Sequence, residues 1–540
     1  MKVIQSVSLA SVVLASVAAM PCSAATLMVG PGKTYTTICD AIYSSKSGDI
    51  IEVTGNVTYT RDVCRITQDN LIIRGVGNGR AVIDAGGASA DNKGIFAVYG
   101  NQLTVENIEF KNATSTSNNG AGIRFQGSTL LVRNCFFHDN QNGILASDSD
   151  TSHIVVERSE FGYNGYGDGL THNLYINHVA SFTFRYNYSH HAKVGHLVKS
   201  RAAVNFILHN RLSTELADSS YELDLPNGGL SFVIGNIIQQ GLNSQQNGMM
   251  SYMVEGPDPR NPSTALFVVN NTFANEAYSG TFVKVANGVA TPAIIRNNIF
   301  SGPGTVTTQP NAVLAGNFIG HPGFVNAQGY DYRLVSTSPA INTGVPPGDG
   351  AGYSLRPQTN YVHSACTETR AINGVIDVGA LEYGAKGISS SCPAGPLSEG
   401  TLAIVRLSPT SVIGGTAASG TILFSGPAPI GGAVVRLASS KPLVAVVPSQ
   451  VTVPGGATSV VFPVPTVPVT GTWTVTIAAA YSGVTRTALL TVVEPGSSTP
   501  PTSPSPTSPQ PGPTSPAPSP TSPAPAPPHP APHPPKPPRR

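Results

Sequence analysis

Two short segments, KSR and ELD, concentrate charge in a chain that has little of it. Charged residues make up 11% of the 540 residues, and these segments contribute Lys199, Arg201, Glu222 and Asp224. Arginine binds carboxylates through two parallel hydrogen bonds, lysine can act as a general base, and carboxylates bind cations such as Ca²⁺. Brought together, such residues can bind an acidic molecule and remove one of its protons.

Histidines lie close to these segments in the sequence. They are His172, His190, His191 and His196. Their spacing matches no standard zinc-ligand pattern, so we rank zinc binding below a role for His196 in proton transfer, with His172 as a further candidate. The alternative is that these histidines occupy turns and corners of the fold. Tyr175 is a further candidate for proton transfer.

A repeat of short apolar runs, each ending in asparagine, provides the frame for these residues. The runs end at Asn107, Asn134, Asn187, Asn210, Asn236, Asn271 and Asn298. With Ser159 at one missing position, successive runs lie 23 to 35 residues apart. Short strands at such a period, without helical stretches between them, are typical of a β-solenoid. The asparagines are predicted to stack at one turn, bonded to the backbone and to each other.

The period also predicts which charged residues are neighbours. Lys199 and Glu222 are 23 residues apart, as are Arg201 and Asp224, which equals the local interval between successive asparagines. Residues one coil apart lie about 4.8 Å apart, and alternate residues share a face. We therefore expect these four side chains to form an outward two-by-two block. Neighbouring coils should add the substrate-binding candidates Asn173, Asn177 and Glu255, together with Tyr175.

The two ends of the chain differ in composition from the repeat. Residues 1–25 have the lysine, apolar run and small residues of a secretory leader, which predicts export to the extracellular space or periplasm. Residues 398–494 show alternating strands between Gly/Pro turns and indicate a β-sandwich. Residues 495–540 are a Pro/Ser/Thr-rich tail, predicted to be disordered, with association with the cell surface as one role.

Charge and hydropathy restrict the partners. A net charge of +2 is too small to steer a polyanion, so no nucleic-acid partner is predicted. No apolar run after the leader is long enough to span a bilayer, and we expect a monomer.

The cysteines and one short helical pattern predict how the ends of the coil are closed. In an oxidising compartment we expect the pairs Cys39–Cys64 and Cys366–Cys392, with Cys135 free. Ile38, Ala41 and Ile42 recur at helical spacing, which predicts a short helix over the first open end of the strands.

Several segments together resemble a known family. The opening VGPG…AI…GDII, the laddered strands and the later DYRLVSTSPAINTG and GVIDVGALEY resemble secreted proteins of the pectate-lyase-like superfamily over about residues 26–385. The resemblance implies an all-β chain with a right-handed parallel β-helix at 26–395, followed by the small β-sandwich, which is similar to bacterial immunoglobulin-like modules. This fold carries lyases, hydrolases, epimerases and non-catalytic binders.

Within that superfamily, the charged block fits a polysaccharide lyase that cleaves a uronate-containing polymer by β-elimination. A cation neutralises the substrate carboxylate, and a base then removes the C5 proton. In this interpretation Arg201 binds the carboxylate, while Lys199, Tyr175 or a histidine is the base. Glu222 and Asp224 hold Ca²⁺.

Two alternatives stay open. A non-catalytic cell-surface protein that binds glycan or forms a rigid rod is favoured by the C-terminal module and tail. A glycoside hydrolase would use Glu222 and Asp224 as its two carboxylates. The chain lacks the Asp-Asp signature of polygalacturonase-like helices, the Asp-Pro-His-Asp run of mannuronan epimerases and the Arg-x-Pro-x-x-Arg run of typical pectate lyases. The charged block could also consist only of cross-coil ion pairs.

Overall fold

A computed structural model describes residues 24–261, 263–387, 400–426, 428, 432–454 and 457–495. The predicted Pro-rich tail beyond residue 495 and all but the last two residues of the predicted leader lie outside these ranges. Within the described residues, the elements are β-strands apart from the α-helix Ile38–Ser44 and the 3-10 helix Ala327–Gly329.

The chain winds through three long parallel sheets in the repeating order A, B, C. Sheet A contains Thr26–Val29, Ile50–Thr54, Ile72–Val76, Leu103–Glu106, Thr129–Arg133, Ser149–Glu157, Val179–Arg185, Val204–Leu208, Leu230–Ile234, Leu266–Val269, Ile294–Arg296 and Val313–Ala315. Sheet B contains Thr58–Thr60, Ala81–Asp84, Ile108–Lys111, Phe136–His138, Glu160–Gly162, Tyr188–His190, Arg211–Ser213, Ile237–Gln240, Thr272–Asn275, Ile299–Ser301 and Phe318–Ile319. Sheet C contains Cys64–Ile66, Gly94–Val98, Ala121–Phe125, Asn142–Ala146, Leu174–Ile176, Lys199–Ser200, Leu223–Leu225, Met250–Tyr252, Thr281–Val285 and Thr305–Thr307. This is the right-handed parallel β-helix that the sequence predicts.

The interior of the coils is apolar and stacked. Phe110, Phe137 and Phe161 occupy equivalent positions on successive strands of sheet B, with ring centroids 4.8 Å apart and nearly parallel planes. This distance equals the spacing of hydrogen-bonded strands, so each ring lies directly on the next. The same inward position on every coil therefore builds one continuous core.

The turn between sheets A and B carries the predicted asparagine ladder. The backbone N–H groups of Asn187, Asn210 and Asn236 each donate to the side-chain oxygen of the asparagine one coil further on, at 2.9 Å. The ladder continues through Asn271 and Asn298. These side chains are fully buried, so each amide satisfies backbone groups that water cannot reach. The structural role predicted for the asparagines is confirmed for Asn187, Asn210, Asn236, Asn271 and Asn298. Asn107 and Asn134 stand one position earlier in the turn, where Asn134 is exposed and donates to the side chain of Asn107.

The first end of the coil is closed as predicted. The helix Ile38–Ser44 buries Ile38, Ala41 and Ile42, and a disulfide joins Cys39 to Cys64 in the first strand of sheet C. Cys135 is a buried free cysteine. The second predicted pair includes Cys392, which lies outside the described residues.

Three short hairpins follow the last coil. They pair Phe324–Asn326 with Asp331–Leu334, Asp349–Gly350 with Tyr353–Ser354, and Thr359–Val362 with Cys366–Thr369. Residues 324–387, which include these hairpins, are called the return segment below. The buried Tyr332 and Tyr361 of this segment pack with Ile237 of sheet B.

Two further sheets enclose an apolar core of their own. The first contains Leu402–Ser408, Ala417–Phe424 and Ser459–Pro465, and the second contains Ser411–Ile413, Val484–Val493, Trp473–Tyr481, Ala433–Ser439 and Gln450–Val453. Ile422 and Phe462 from one sheet and Val475 and Leu490 from the other belong to the same buried cluster, which makes this region a small β-sandwich. Its assignment as an immunoglobulin-like module stays a prediction.

The β-sandwich packs on sheet A within one compact unit. Phe206, Phe232 and Phe267 stack along the outer face of sheet A and share a buried cluster with Ile404 and Leu423 of the β-sandwich. No helix within the described ranges is long and apolar enough to cross a membrane.

Candidate active site

The charged residues of KSR and ELD meet on the outer face of sheet C, but in a different register from the predicted one. Lys199 is paired with Tyr175 on one side and with Asp224 on the other. The predicted pairing of Lys199 with Glu222 is therefore wrong by two residues. The reason is that Lys199 stands 12 residues after Asn187, whereas Asp224 stands 14 residues after Asn210, so the path from the turn to the paired position in sheet C is two residues longer on the later coil. The interval between asparagines does not report this difference.

Lys199 is the centre of an ion-pair network. Its Nζ lies 3.2 Å from Oδ2 of Asp224 and 2.8 Å from Oε1 of Glu255. Asp224 is buried and also accepts a hydrogen bond from the Ser251 hydroxyl. The Glu255 side chain is 43% exposed, so one carboxylate of the network is enclosed and the other faces solvent.

Arg201 forms the outer part of the same network. Its Nη2 lies 2.6 Å from Oε2 of Glu255, its Nη1 donates to Asn227, and its Nε donates to the Tyr175 hydroxyl at 2.9 Å. The guanidinium and the Lys199 ammonium lie 5.6 and 5.5 Å from the centre of the Tyr175 ring. Two cations and a phenol oxygen thus share one surface, and a single carboxylate bridges the cations. Below, Tyr175, Lys199, Arg201, Asp224 and Glu255 are called the sheet C cluster.

Two histidines stack beside the cluster. The rings of His172 and His196 are 4.6 Å apart and nearly parallel. Each Nδ1 accepts a backbone N–H, from His196 and Tyr221 respectively, so each neutral ring carries its proton on Nε2. Nε2 of His196 points to Asp224 at 3.4 Å.

Burial keeps these histidines neutral. It lowers the pKa of His196 to about 4 and holds the pKa of His172 well below its ordinary value. Because both Nδ1 lone pairs are engaged and both Nε2 atoms carry protons, neither ring offers a free basic nitrogen at neutral pH. The two histidines therefore orient Asp224 and the neighbouring backbone.

Glu222 and Asn173 do not face outward, contrary to the prediction. The Glu222 carboxyl is fully buried and accepts a hydrogen bond from the Thr214 hydroxyl at 2.7 Å. Asn173 is fully buried and donates to the His190 carbonyl at 2.8 Å. Each residue stands one position before its strand in sheet C, at the corner where the chain arrives from sheet B. Alternation along the strand does not hold at this corner, so both side chains point inward.

Burial also decides the protonation state of Glu222. With no countercharge to offset desolvation, the pKa of Glu222 is raised well above its ordinary value. Its second carboxyl oxygen has no hydrogen-bond partner among the described residues. A neutral, enclosed carboxyl does not bind a cation.

The predicted Ca²⁺ site is therefore not formed by this arrangement. Glu222 is separated from Asp224, and Asp224 and Glu255 are already neutralised by Lys199 and Arg201. Ca²⁺ takes six to eight oxygen ligands, and the sheet C cluster offers two paired carboxylates. A second carboxylate group, Asp148, Asp150 and Asp258, is likewise centred on a cation, Arg260.

The remaining predicted residues lie at the margin of the cluster or on another wall. Asn177 is half-buried in the turn after its strand and donates to the Ala146 carbonyl at 3.0 Å. His190 and His191 lie at the end of a sheet B strand, where His190 is 3.3 Å from Glu160. They take no part in the sheet C cluster.

Sequence reasoning missed Ser251 and Asn227. Ser251 is paired with Asp224 and so continues the outward column through Tyr175 and Lys199. Counting alternate residues onto the next coil could have found it. Asn227 lies in the turn after its strand, where no periodic pattern applies.

Comparisons with known proteins give partial similarity. No family model matches the chain. A stretch of 116 residues, 19% of this chain, is 28% identical to "Putative pectinesterase 14" of Arabidopsis thaliana and covers 35% of that protein. The chain thus spans little more than a third of the length of this curated relative.

Two solved structures align over most of their own length. Pectate lyase Pel9A aligns at 14% identity with a TM-score of 0.44, over 67% of this chain and 96% of that one. Pectin methylesterase from Aspergillus niger aligns at 13% identity with a TM-score of 0.26, over 61% of this chain and 93% of that one. At such identities function has to be derived from the side chains of the site.

Proposed function

We propose that this protein cleaves an acidic, uronate-containing polysaccharide by β-elimination on the outer face of sheet C. The observation that carries the proposal is the position of Glu255. One of its carboxylate oxygens contacts Lys199 at 2.8 Å and the other contacts Arg201 at 2.6 Å. A uronate carboxylate has the same shape and charge, so the two cations are spaced to bind it once Glu255 moves aside.

The bound carboxylate prepares the sugar for elimination. Neutralising its charge acidifies the C5 proton, because the negative charge that develops on removal of this proton is delocalised toward the carboxylate. Arg201 and Lys199 supply that neutralisation without a metal ion. The partly exposed Glu255 is the member of the network that the substrate displaces.

Tyr175 is the base that the geometry favours. Its oxygen lies 2.9 Å from Nε of Arg201, beside the bound carboxylate and hence near C5. Lys199 is held by two carboxylates, and the histidines have no free lone pair. In its ionised form the Tyr175 oxygen takes the C5 proton, and the electrons of the C5–H bond form the C4–C5 double bond as the C4–O bond breaks. The departing oxygen takes up a proton from water, and Tyr175 then releases the C5 proton to solvent.

The test is cleavage of polygalacturonate and of other uronate polymers, followed by the ultraviolet absorbance of unsaturated ends. We expect Tyr175→Phe to lose turnover with little change in KM, because the ring and the cations stay in place. We expect Arg201→Ala to raise KM and lower kcat. Absence of unsaturated product from every polymer, or full activity in both variants, would remove the proposal.

A second candidate is ester hydrolysis on a methyl-esterified uronate polymer. The 116-residue similarity to a putative pectinesterase favours it. The same cations would then bind a neighbouring free carboxylate of the polymer. Release of methanol without ultraviolet absorbance would replace elimination with this activity, and binding to the polymer without either product would favour a non-catalytic glycan-binding protein.

A further inference from the structure

A cavity of about 240 Å³ lies between the outer face of sheet B and the return segment. Tyr188, Arg211 and Ile237 form its floor as one column across three strands of sheet B. Tyr330 and His363 of the return segment contribute to its walls. This cavity contains none of the residues of the sheet C cluster and lies on a different wall of the coil.

Arg211 is the charged group at the floor of the cavity. The residue is 7% exposed, and its Nη2 donates to Glu215 at 3.3 Å. Its Nε has no hydrogen-bond partner among the described residues. An arginine this deeply buried normally has its N–H groups satisfied, because an unsatisfied buried donor destabilises the folded protein. Arg211 therefore contributes to the cavity lining a guanidinium whose N–H groups are not all engaged by the described residues.

Aromatic rings hold the guanidinium and line the space beside it. Arg211 lies over Tyr188 at 5.3 Å and over Tyr330 at 5.7 Å from the ring centres. His363 packs edge-on against Tyr188, and burial lowers the pKa of His363 to about 4, so this ring is neutral at pH 7. Flat apolar faces next to a few polar groups are typical of ligand pockets, and they suit the C–H faces of a sugar ring.

The charges around the cavity favour an anion. Glu215 is bound by the Tyr188 hydroxyl at 2.6 Å as well as by Arg211, and Asp331 is bound by Arg333 at 2.6 Å. The exposed Lys386 adds a further cation at the rim. The residues that line the cavity thus include three cations and two paired carboxylates, and a further carboxylate, Glu276, lies close to Tyr330 and Tyr332. The Arg211 guanidinium and the exposed Lys386 are the cations that a carboxylate ligand would bind.

We infer that this cavity is a second, non-catalytic binding site for an acidic sugar, and its size suits one or two uronate units. The carboxylate of the sugar binds Arg211, and the sugar ring stacks on Tyr330. The ligand class agrees with the proposed function, although the cavity and its chemistry do not depend on cleavage at sheet C. A polymer bound here stays attached to the protein at sheet B, away from the proposed cleavage site on sheet C.

The experiment measures binding of galacturonate and glucuronate monosaccharides to the Arg201→Ala protein, in which the sheet C cluster is disabled. Calorimetry gives the affinity, and saturation-transfer NMR reports whether sugar protons contact aromatic rings. We expect both acidic sugars to bind. Galactose and glucose, which lack the carboxylate, should bind at least tenfold more weakly.

Further substitutions in the same background locate the site. Arg211→Lys and Tyr330→Ala should each weaken binding by tenfold or more, and Tyr278→Ala, an exposed tyrosine elsewhere, should leave it unchanged. Unchanged melting temperatures show that the variants fold. If Arg211→Lys is unstable, Tyr330→Ala, at the edge of the cavity, is the informative variant.

Three outcomes would overturn the inference: equal binding of neutral and acidic sugars, absence of saturation transfer, or an affinity that the Tyr330 substitution does not change. Polymer cleavage plays no part in these outcomes, so the inference can fail while the proposed function stands.

Discussion

The outer faces of sheets A and C are two walls of the same coils, and they carry opposite chemistry. On sheet A, Phe206, Phe232 and Phe267 form an apolar column that the β-sandwich and the return segment cover. On sheet C, Tyr175, Lys199, Asp224 and Ser251 form a polar column, and the partly exposed Glu255 contacts Lys199 beside it. Inward residues of both walls build one core, so the outward residues alone decide whether a wall packs or performs chemistry.

The largest effect on stability is expected on the wall of sheet A. Phe232→Ala removes a fully buried ring that stacks between Phe206 and Phe267 at 5.2 Å from each. The resulting cavity should lower the free energy of unfolding by about 3–5 kcal/mol. Activity per folded molecule should stay at the wild-type value. Denaturant unfolding and an activity assay on the same sample check both, and a variant that kept its stability would mean that the β-sandwich does not seal this face.

On the wall of sheet C, a substitution is expected to lower activity more than stability. Arg201→Ala should lower kcat/KM by a factor of about 10²–10³, since it removes a group that stabilises developing negative charge. Its partner Glu255 is 43% exposed and keeps its contact with Lys199, so the melting temperature should fall less than in the Phe232 variant. Arg65→Ala is the matched control, because Arg65 belongs to sheet C but is paired with Asp91 far along the coil. Equal loss of activity in both variants would contradict a localised site.

A smaller effect on stability is expected from Glu222, which lies on the inside of the sheet C wall. Because burial raises the pKa of Glu222, the native protein keeps a proton that the unfolded chain releases above its ordinary pKa of 4.5. Stability from this residue is therefore lost as pH rises above that value. Glu222→Gln keeps the acceptor for Thr214 and should raise the melting temperature by a few degrees at pH 7, with the gain disappearing near pH 4. Activity should be unaffected, and a gain that is the same at both pH values would contradict a neutral Glu222.

The smallest effect concerns metal removal. The cations of the sheet C cluster are Lys199 and Arg201, and its carboxylates are already paired with them. Dialysis against EDTA should leave the cleavage rate unchanged, and added Ca²⁺ should not increase it. A rate that fell on chelation and recovered with Ca²⁺ would show that the network rearranges around a metal during catalysis.

Much of this architecture could be predicted from the sequence. The coils, the asparagine ladder and the closing helix each follow from a pattern that repeats or from a local spacing. The Cys39–Cys64 bond agrees with the pairing expected for an oxidising compartment. The clustering of Lys199, Arg201 and Asp224 on one outward face was also predictable, because sliding a strand by two residues preserves which face each residue occupies. The rule does not apply to Asn173 and Glu222, because each lies one residue before its strand, at a corner where the side chain points inward.

The sequence by itself determined the β-helix. Inward apolar residues and turn asparagines recur on coil after coil, and both favour the same alignment of successive coils. Only the tertiary structure decided which carboxylate faces Lys199. That choice depends on two extra residues in the path from the turn to sheet C on one coil, and on a corner that turns Glu222 inward. Neither feature repeats, so no periodic signal marks it. The chemistry of the wall depends on both.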